Sequence, residues 1–266
     1  MEVAGYLASV LIGVSLGLIG GGGSILTVPV LVYLFGIDAV PATGYSLFIV
    51  GLTSAIGSGT YFFKNLVNVR TAVVFGLPSI AAVFATRAWL VPAIPDVVFS
   101  IGDFEVTKRI LLMVLFAVLM IAASVSMIRK SPAGSGPKPE SDRPFRYGLV
   151  MLEGTVVGIL TGMVGAGGGF LIIPALVVLG KLPMKEAVGT SLVIIAAKSL
   201  IGFIGEIGHQ PIDWFFLLQV SVFAVVGIFI GATLSRRISG DQLKPAFGWF
   251  VLVVGVYIIL KELFWT

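Results

Sequence analysis

Long apolar runs separated by short polar breaks pattern the chain, at positions 3–35, 41–63, 69–91 and 110–128, then 147–179, 187–207, 214–234 and 245–260. Each uninterrupted run is near the roughly 20 residues a helix needs to cross a bilayer core. The pattern therefore predicts an all-α, polytopic membrane protein. The first and fifth runs are broken in the middle, by Gly17-Leu18-Ile19-Gly20-Gly21-Gly22-Gly23-Ser24 and by Gly162-Met163-Val164-Gly165-Ala166-Gly167-Gly168-Gly169. Pro29 and Pro174 follow each break at the same distance. Consecutive glycines let a helix stop, turn and restart. The restart exposes backbone N–H groups, which hydrocarbon tolerates only where protein or a wet cavity covers them, and which favour an anion.

The two breaks belong to a duplication. A shift of 145 positions aligns 17–57 with 162–202 without a gap, and 17 of those 41 pairs are identical. They include Gly20/Gly165, Gly22/Gly167, Gly23/Gly168, Gly44/Gly189, Ser46/Ser191 and Ser54/Ser199, polar and glycine positions that apolar coincidence would not match. The chain thus divides into a first transmembrane repeat, 1–128, a linker, 129–146, and a second repeat, 147–266. The linker is rich in Pro, Gly, Ser and charge. The piece before the first break, 3–17, reaches about 22 Å as helix, short of the ~30 Å core. Two short pieces can then form a re-entrant V, leaving three crossings per half and inverted repeats. Basic residues favour this arrangement. With the linker cytoplasmic, Lys64, Arg70, Arg129, Lys130, Lys138, Arg143, Arg146, Lys181, Lys185, Arg236, Arg237 and Lys244 fall inside, and only Arg87, Lys108, Arg109 and Lys261 outside. A parallel duplication would leave no bias.

Composition narrows the chemistry. With 58% hydrophobic and 11% charged residues and a mean hydropathy of +1.10, a soluble core is excluded. The first run lacks a basic leader and continues into a second apolar piece, so it is expected to stay in the membrane. Without cysteine and with one histidine, no disulfide, metal site or cofactor is expected. The net charge of +4 reads as membrane topology, not nucleic-acid binding.

The glycine clusters are the first candidate site. Gly20, Gly21, Gly22, Gly23 and Ser24 would meet Gly165, Ala166, Gly167, Gly168 and Gly169 near the midplane, with two helix N-termini converging on one anion. Close helix packing is the alternative, and it is the better account of Gly13, Gly17, Gly158, Gly162, Gly227 and Gly231. Ser46, Thr190 and Ser191 can donate to an oxyanion or simply cap their helices. Lys198 lies too deep to snorkel, and burying its cation costs about 2.5–3.5 kcal/mol, so it faces substrate or pairs with Glu153 or Glu206. Arg87 reads as an interfacial anchor. Glu153 reads as a carboxyl paired with a basic neighbour or as a proton-coupling group. Glu206, His209 and Asp213 read as a solvated cluster at one helix end. Trp214, Trp249, Tyr257 and Trp265 fit interfacial belts.

At the paired glycine motifs with their prolines, at Gly44-Tyr45-Ser46 and Gly189-Thr190-Ser191, and at Ile212-Asp213-Trp214, the chain resembles the sulfite exporter TauE/SafE family of bacterial permeases. The resemblance implies transport, by preference export, of sulfite, an organosulfonate or a related oxyanion across the inner membrane. The residues alone support only a small and anionic substrate, and alternating access around the midplane site is the expected mechanism. Expected partners are that anion and the lipid bilayer, with a homodimer allowed and no nucleic acid. A passive anion channel is the first rival. A membrane enzyme is the second, though no nucleophile with a base is evident.

Overall fold

A computed structural model of the chain describes residues 2–101, 104–128, 147–178, 180, 182–234 and 240–264. The linker 129–146, Lys181, Arg236, Arg237 and Trp265, which enter the topology and belt arguments, lie outside the described residues. The elements are α1 (Glu2–Ile19), α2 (Ser24–Leu34), α3 (Ala39–Phe62), α4 (Val69–Ala93), β1 (Val97–Ile101), β2 (Phe104–Thr107), α5 (Lys108–Ile128), α6 (Tyr147–Val164), α7 (Gly169–Val178), α8 (Met184–Ile204), α9 (Trp214–Leu234) and α10 (Gly240–Phe264). Among the described residues seven helices are long and apolar enough to cross a membrane: α3, α4, α5, α6, α8, α9 and the Phe247–Phe264 part of α10. The protein is an all-α polytopic membrane protein, with one antiparallel hairpin, β1–β2, in the loop between α4 and α5.

The duplication is visible in the helix boundaries. α1 ends at Ile19 and α6 at Val164, α2 begins at Ser24 and α7 at Gly169, α3 at Ala39 and α8 at Met184, α4 at Val69 and α9 at Trp214. Each pair is 145 positions apart, so the register read in the sequence is the register of the fold. The two halves exchange partners. α1 of the first half packs on α9 of the second, α6 on α4, and the counterparts α3 and α8 pack on each other, as do α5 and α10.

Glycines make the close helix pairs. β-carbons on Gly227 and Gly231 would run into α1 at Val10 and Val14, and β-carbons on Gly154 and Gly158 into the α4 backbone at Phe75 and Ser79. These are the small-residue contacts that membrane helices use in place of a hydrophobic driving force. Direction follows from the same contacts. Gly51 lies against Leu200 while Gly189 lies against Tyr61 and Leu66, so α3 and α8 run antiparallel. Gly248 meets Met127 and Ile128 while Gly255 meets Met120 and Ile121, so α5 and α10 do too.

The broken segment folds back on itself. Gly23 lies against Ile12 and Leu16 near the break, and beyond the end of α2 the Phe35 ring packs edge-on to Tyr6 with centroids 5.3 Å apart. In the second half Ile172, Ala175 and Leu176 of α7 share an apolar cluster with Val150 and Val157 of α6. The main core collects Ile12, Leu16, Val28, Leu31, Leu47, Phe116, Met120, Phe203, Leu217 and Ile228 from both halves.

Candidate functional site

Both glycine clusters are true breaks. Gly20 and Gly165 hold equivalent left-handed conformations, φ +73 and +71, closing α1 and α6 through bonds to Leu16 O and Thr161 O. Only glycine adopts that conformation without cost. The surroundings repeat as well: Gly20 packs on Val188 and Gly165 on Thr43, which are themselves equivalent positions. Past the break, the N–H groups of Gly22, Gly23, Gly167 and Gly169 find no hydrogen-bond acceptor among the described residues.

The turns meet directly, not across a gap. A β-carbon on Gly21 would lie 2.8 Å from Gly169 Cα, so two backbones touch where any side chain would hold them apart. The sequence expectation brings two helix N-termini to one anion; here the backbones of the two turns themselves meet, at Gly21 and Gly169. Gly20, Gly21, Gly22, Gly23, Ser24 and Gly165, Ala166, Gly167, Gly168, Gly169 are all buried. Ser24 Oγ donates back to Gly21 O at 2.8 Å and steadies the first turn.

Behind the turns, α3 and α8 each present one stripe at helical spacing. Ser46, Val50, Thr53, Ser54 and Gly57 on α3 correspond to Ser191, Ile195, Lys198, Ser199 and Gly202 on α8. Gly167 sits between Val50 and Ile195, the equivalent apolar pair at the centre. Ser191 Oγ reaches Gly20 O and Val188 O, each at 2.8 Å. Ser46, its counterpart, has no partner for its buried hydroxyl among the described residues, and neither have Thr53, Ser54 and Ser199. Thr190 Oγ1 accepts from Asn68 N–H at 2.9 Å, as Tyr45 Oη accepts from Asp213 N–H at 2.8 Å. These two hold the starts of α4 and α9, so Thr190 is tied to a helix start and not turned to the glycines.

Lys198 is fully buried, and its Nζ donates to Thr161 Oγ1 at 2.9 Å, whose own hydroxyl hydrogen goes to Val157 O. The amine also lies beside the second turn: a β-carbon on Gly168 would stand 2.7 Å from it. The two pairings expected from sequence are absent among the described residues. Glu206 is taken by Arg87 at 3.1 Å, and among the described residues Glu153 forms no ion pair and leaves Oε2 without a partner.

Arg87 overturns its reading as an interfacial anchor, because it is 0% exposed. It sits in a π-helical turn, Thr86–Leu90, ahead of Pro92. Besides Glu206 it donates to Thr43 Oγ1 at 3.0 Å and to Met163 O at 3.5 Å. Those partners flank Gly165, so the ion pair clamps one end of the second glycine turn. The cluster expected to be solvated splits accordingly: Glu206 is buried, whereas His209 and Asp213 are exposed. The signal that could have revealed the pair is Arg87 itself, a charge inside the apolar run 69–91 whose repeat counterpart is Ala232. Trp214, Trp249 and Tyr257 are exposed on apolar helix faces. No cluster of His, Asp and Glu suited to a metal occurs among the described residues.

The arrangement offers two helix N-termini, a row of hydroxyls and one amine on the flank of a backbone contact. Each favours negative charge. The chain matches the family described as sulfite exporter TauE/SafE over residues 6–258. It is 31% identical over 259 residues to a probable membrane transporter protein of Xylella fastidiosa (strain 9a5c), covering 95% of this chain and 92% of the relative. It is 26% identical to the probable membrane transporter protein YunE of Bacillus subtilis (strain 168), covering 93% of each. It is 25% identical to the probable membrane transporter protein MJ0441 of Methanocaldococcus jannaschii, covering 94% of this chain and 92% of the relative. No solved structure matches it.

Proposed function

We propose that this chain, which belongs to the sulfite exporter TauE/SafE family of membrane transporters, carries a small sulfur-containing anion, sulfite, an organosulfonate or a related oxyanion, out of the cell across the bacterial inner membrane. One observation carries the reading: the Lys198 amine is buried beside the second glycine turn with a single hydroxyl partner and no carboxylate among the described residues. An ammonium at that depth needs a counter-charge, which the solute supplies when it is bound. The free N–H groups of the turns and the unpartnered hydroxyls of Ser46, Ser54 and Ser199 complete an oxyanion's coordination.

The antiparallel course of the counterparts α3 and α8, and of α5 and α10, supports inverted repeats. The fold-back of α2 along α1 supports a re-entrant hairpin in each half, with three crossings besides. In this conformation the turns touch and every turn residue is buried. Access then requires the halves to rock apart on one side at a time, which favours a carrier over an open channel. The basic residues of the linker 129–146 and of the loops around it support a cytoplasmic linker.

The test is saturable counterflow in proteoliposomes with sulfite, methanesulfonate, thiosulfate and sulfate as probes. Saturable uptake of one or more, competed by the others, is expected. Flux that rises linearly with concentration and passes anions of every size would overturn the carrier.

A further inference from the structure

We propose that Lys198 carries a proton together with the anion, so that the protein is an electroneutral symporter of a proton and a monovalent anion. The inference rests on the anion site proposed above and goes beyond it in assigning the coupling ion. Hydrogen-bond accounting motivates it. Lys198 Nζ has one acceptor among the described residues, Thr161 Oγ1, and that oxygen's own hydrogen is committed to Val157 O. A neutral amine carries two hydrogens and a lone pair, so one hydrogen bond leaves one hydrogen and the lone pair unpartnered but buries no charge. An ammonium carries three hydrogens and a full charge, and here two donors would point at nothing. The empty site therefore suits the neutral amine, and the site with an anion suits the ammonium.

The neighbouring charges do not offer another carrier at this position. On α3 the titratable groups are Tyr45 and Tyr61, near its ends. On α4 they are Arg70, which lies over the Tyr147 ring, and Arg87, which is paired with Glu206. On α6 they are Tyr147 and Glu153, and Glu153 makes no ion pair with Lys198. α7 has none, and on α8 itself Lys185 and Glu186 lie in the first turn. Thr53 occupies the equivalent place in the first half, so one side of the duplicated stripe titrates and the other does not.

The cycle balances. On the loading side the lone pair of Nζ takes a proton from water, and the anion settles against the ammonium. The halves rock, the anion leaves, and Nζ returns its proton to the opposite bulk phase. The neutral, empty carrier then resets. Because the moving unit has no net charge, the membrane potential does not drive it, and the export proposed above proceeds where the outward anion gradient exceeds the inward proton gradient.

The experiment follows methanesulfonate, which has no titratable proton, into proteoliposomes that trap a pH-sensitive dye, with the potential clamped by potassium and valinomycin. Acidification of the lumen by one proton per anion is expected, with a flux that ignores the clamp. Lys198→Arg keeps a permanent cation. Its residual flux should lose the acidification and become sensitive to voltage. Wild-type flux that follows voltage without acidifying the lumen would overturn the proposal, as would an arginine variant that still moves protons. If no probe anion moves, the anion site itself fails, and the proton claim is tested separately by nitrogen NMR of the Lys198 amine. The resonance, assigned by its loss in Lys198→Arg, should be that of a neutral amine in the substrate-free protein at neutral pH. An ammonium resonance would refute it.

Discussion

Glu206→Gln removes one charge from a buried pair while nearly preserving its shape, and the structure sets what that should cost. Arg87 is 0% exposed and the Glu206 side chain 8%, with 3.1 Å between Nη1 and Oε2. At an effective dielectric of about 20, two unit charges at that separation attract by about 5 kcal/mol. Thr43 Oγ1 and Met163 O remain as neutral acceptors for Arg87, and the glutamine carbonyl can replace one bond. The expected loss is therefore about 3–5 kcal/mol, the range for stranding one member of a buried pair. Replacing both partners, as in Arg87→Leu with Glu206→Leu, should restore stability to within about 1 kcal/mol, because no buried charge is left alone. The assay is unfolding in mixed micelles titrated with dodecyl sulfate and followed by tryptophan fluorescence. A Glu206→Gln protein within about 0.5 kcal/mol of wild type, the range of an ordinary surface change, would refute the argument. So would a double variant that loses the sum of the two singles.

Other outcomes follow from the same contacts. Lys198→Ala should raise the apparent KM for anion counterflow by about ten- to a hundredfold, as loss of one charge-assisted hydrogen bond implies. Ser191→Ala strands the buried Gly20 carbonyl and should cost about 1–3 kcal/mol, whereas Ser46→Ala removes a hydroxyl that has no partner and should be neutral in the same unfolding assay. Gly227→Ala drives a methyl into the α1 backbone at Val10 and should cost about 1–3 kcal/mol, while Gly59→Ala, with nothing within 4 Å of the new carbon, should be neutral or slightly stabilising.

Much of this architecture was legible because duplication copies residues that apolar composition cannot explain. The Gly20/Gly165 pair marked where both helices break, and Pro29/Pro174 and Gly44/Gly189 fixed the register that the helix starts repeat. The Ser46/Ser191 pair likewise marked a polar position that both halves keep. The sequence could not show that Gly21 and Gly169 touch, because backbone contact between distant turns leaves no pattern along the chain. Arg87 was misjudged for a related reason. Its place near the end of an apolar run suggested a head at the interface, yet a π-helical turn and the packing of α6 enclose it. The β1–β2 hairpin lies between two apolar runs, 69–91 and 110–128, in a stretch too short and too mixed in charge to carry a strand pattern of its own. Depth alone singles out Lys198 in the sequence, and its lack of a carboxylate among the described residues follows only once Glu206 is paired with Arg87.

The central claim is that an anion rests on the flank of the two glycine turns, within reach of Lys198. Anomalous diffraction from crystals grown with selenite, and separately with bromobenzenesulfonate, tests it most directly. A selenium or bromine peak placing the oxyanion within hydrogen-bonding distance of the Lys198 amine and the Gly167–Gly169 backbone is the predicted result. Ordered anions confined to the protein surface, with the turns and Lys198 unchanged at saturating concentration, would contradict it.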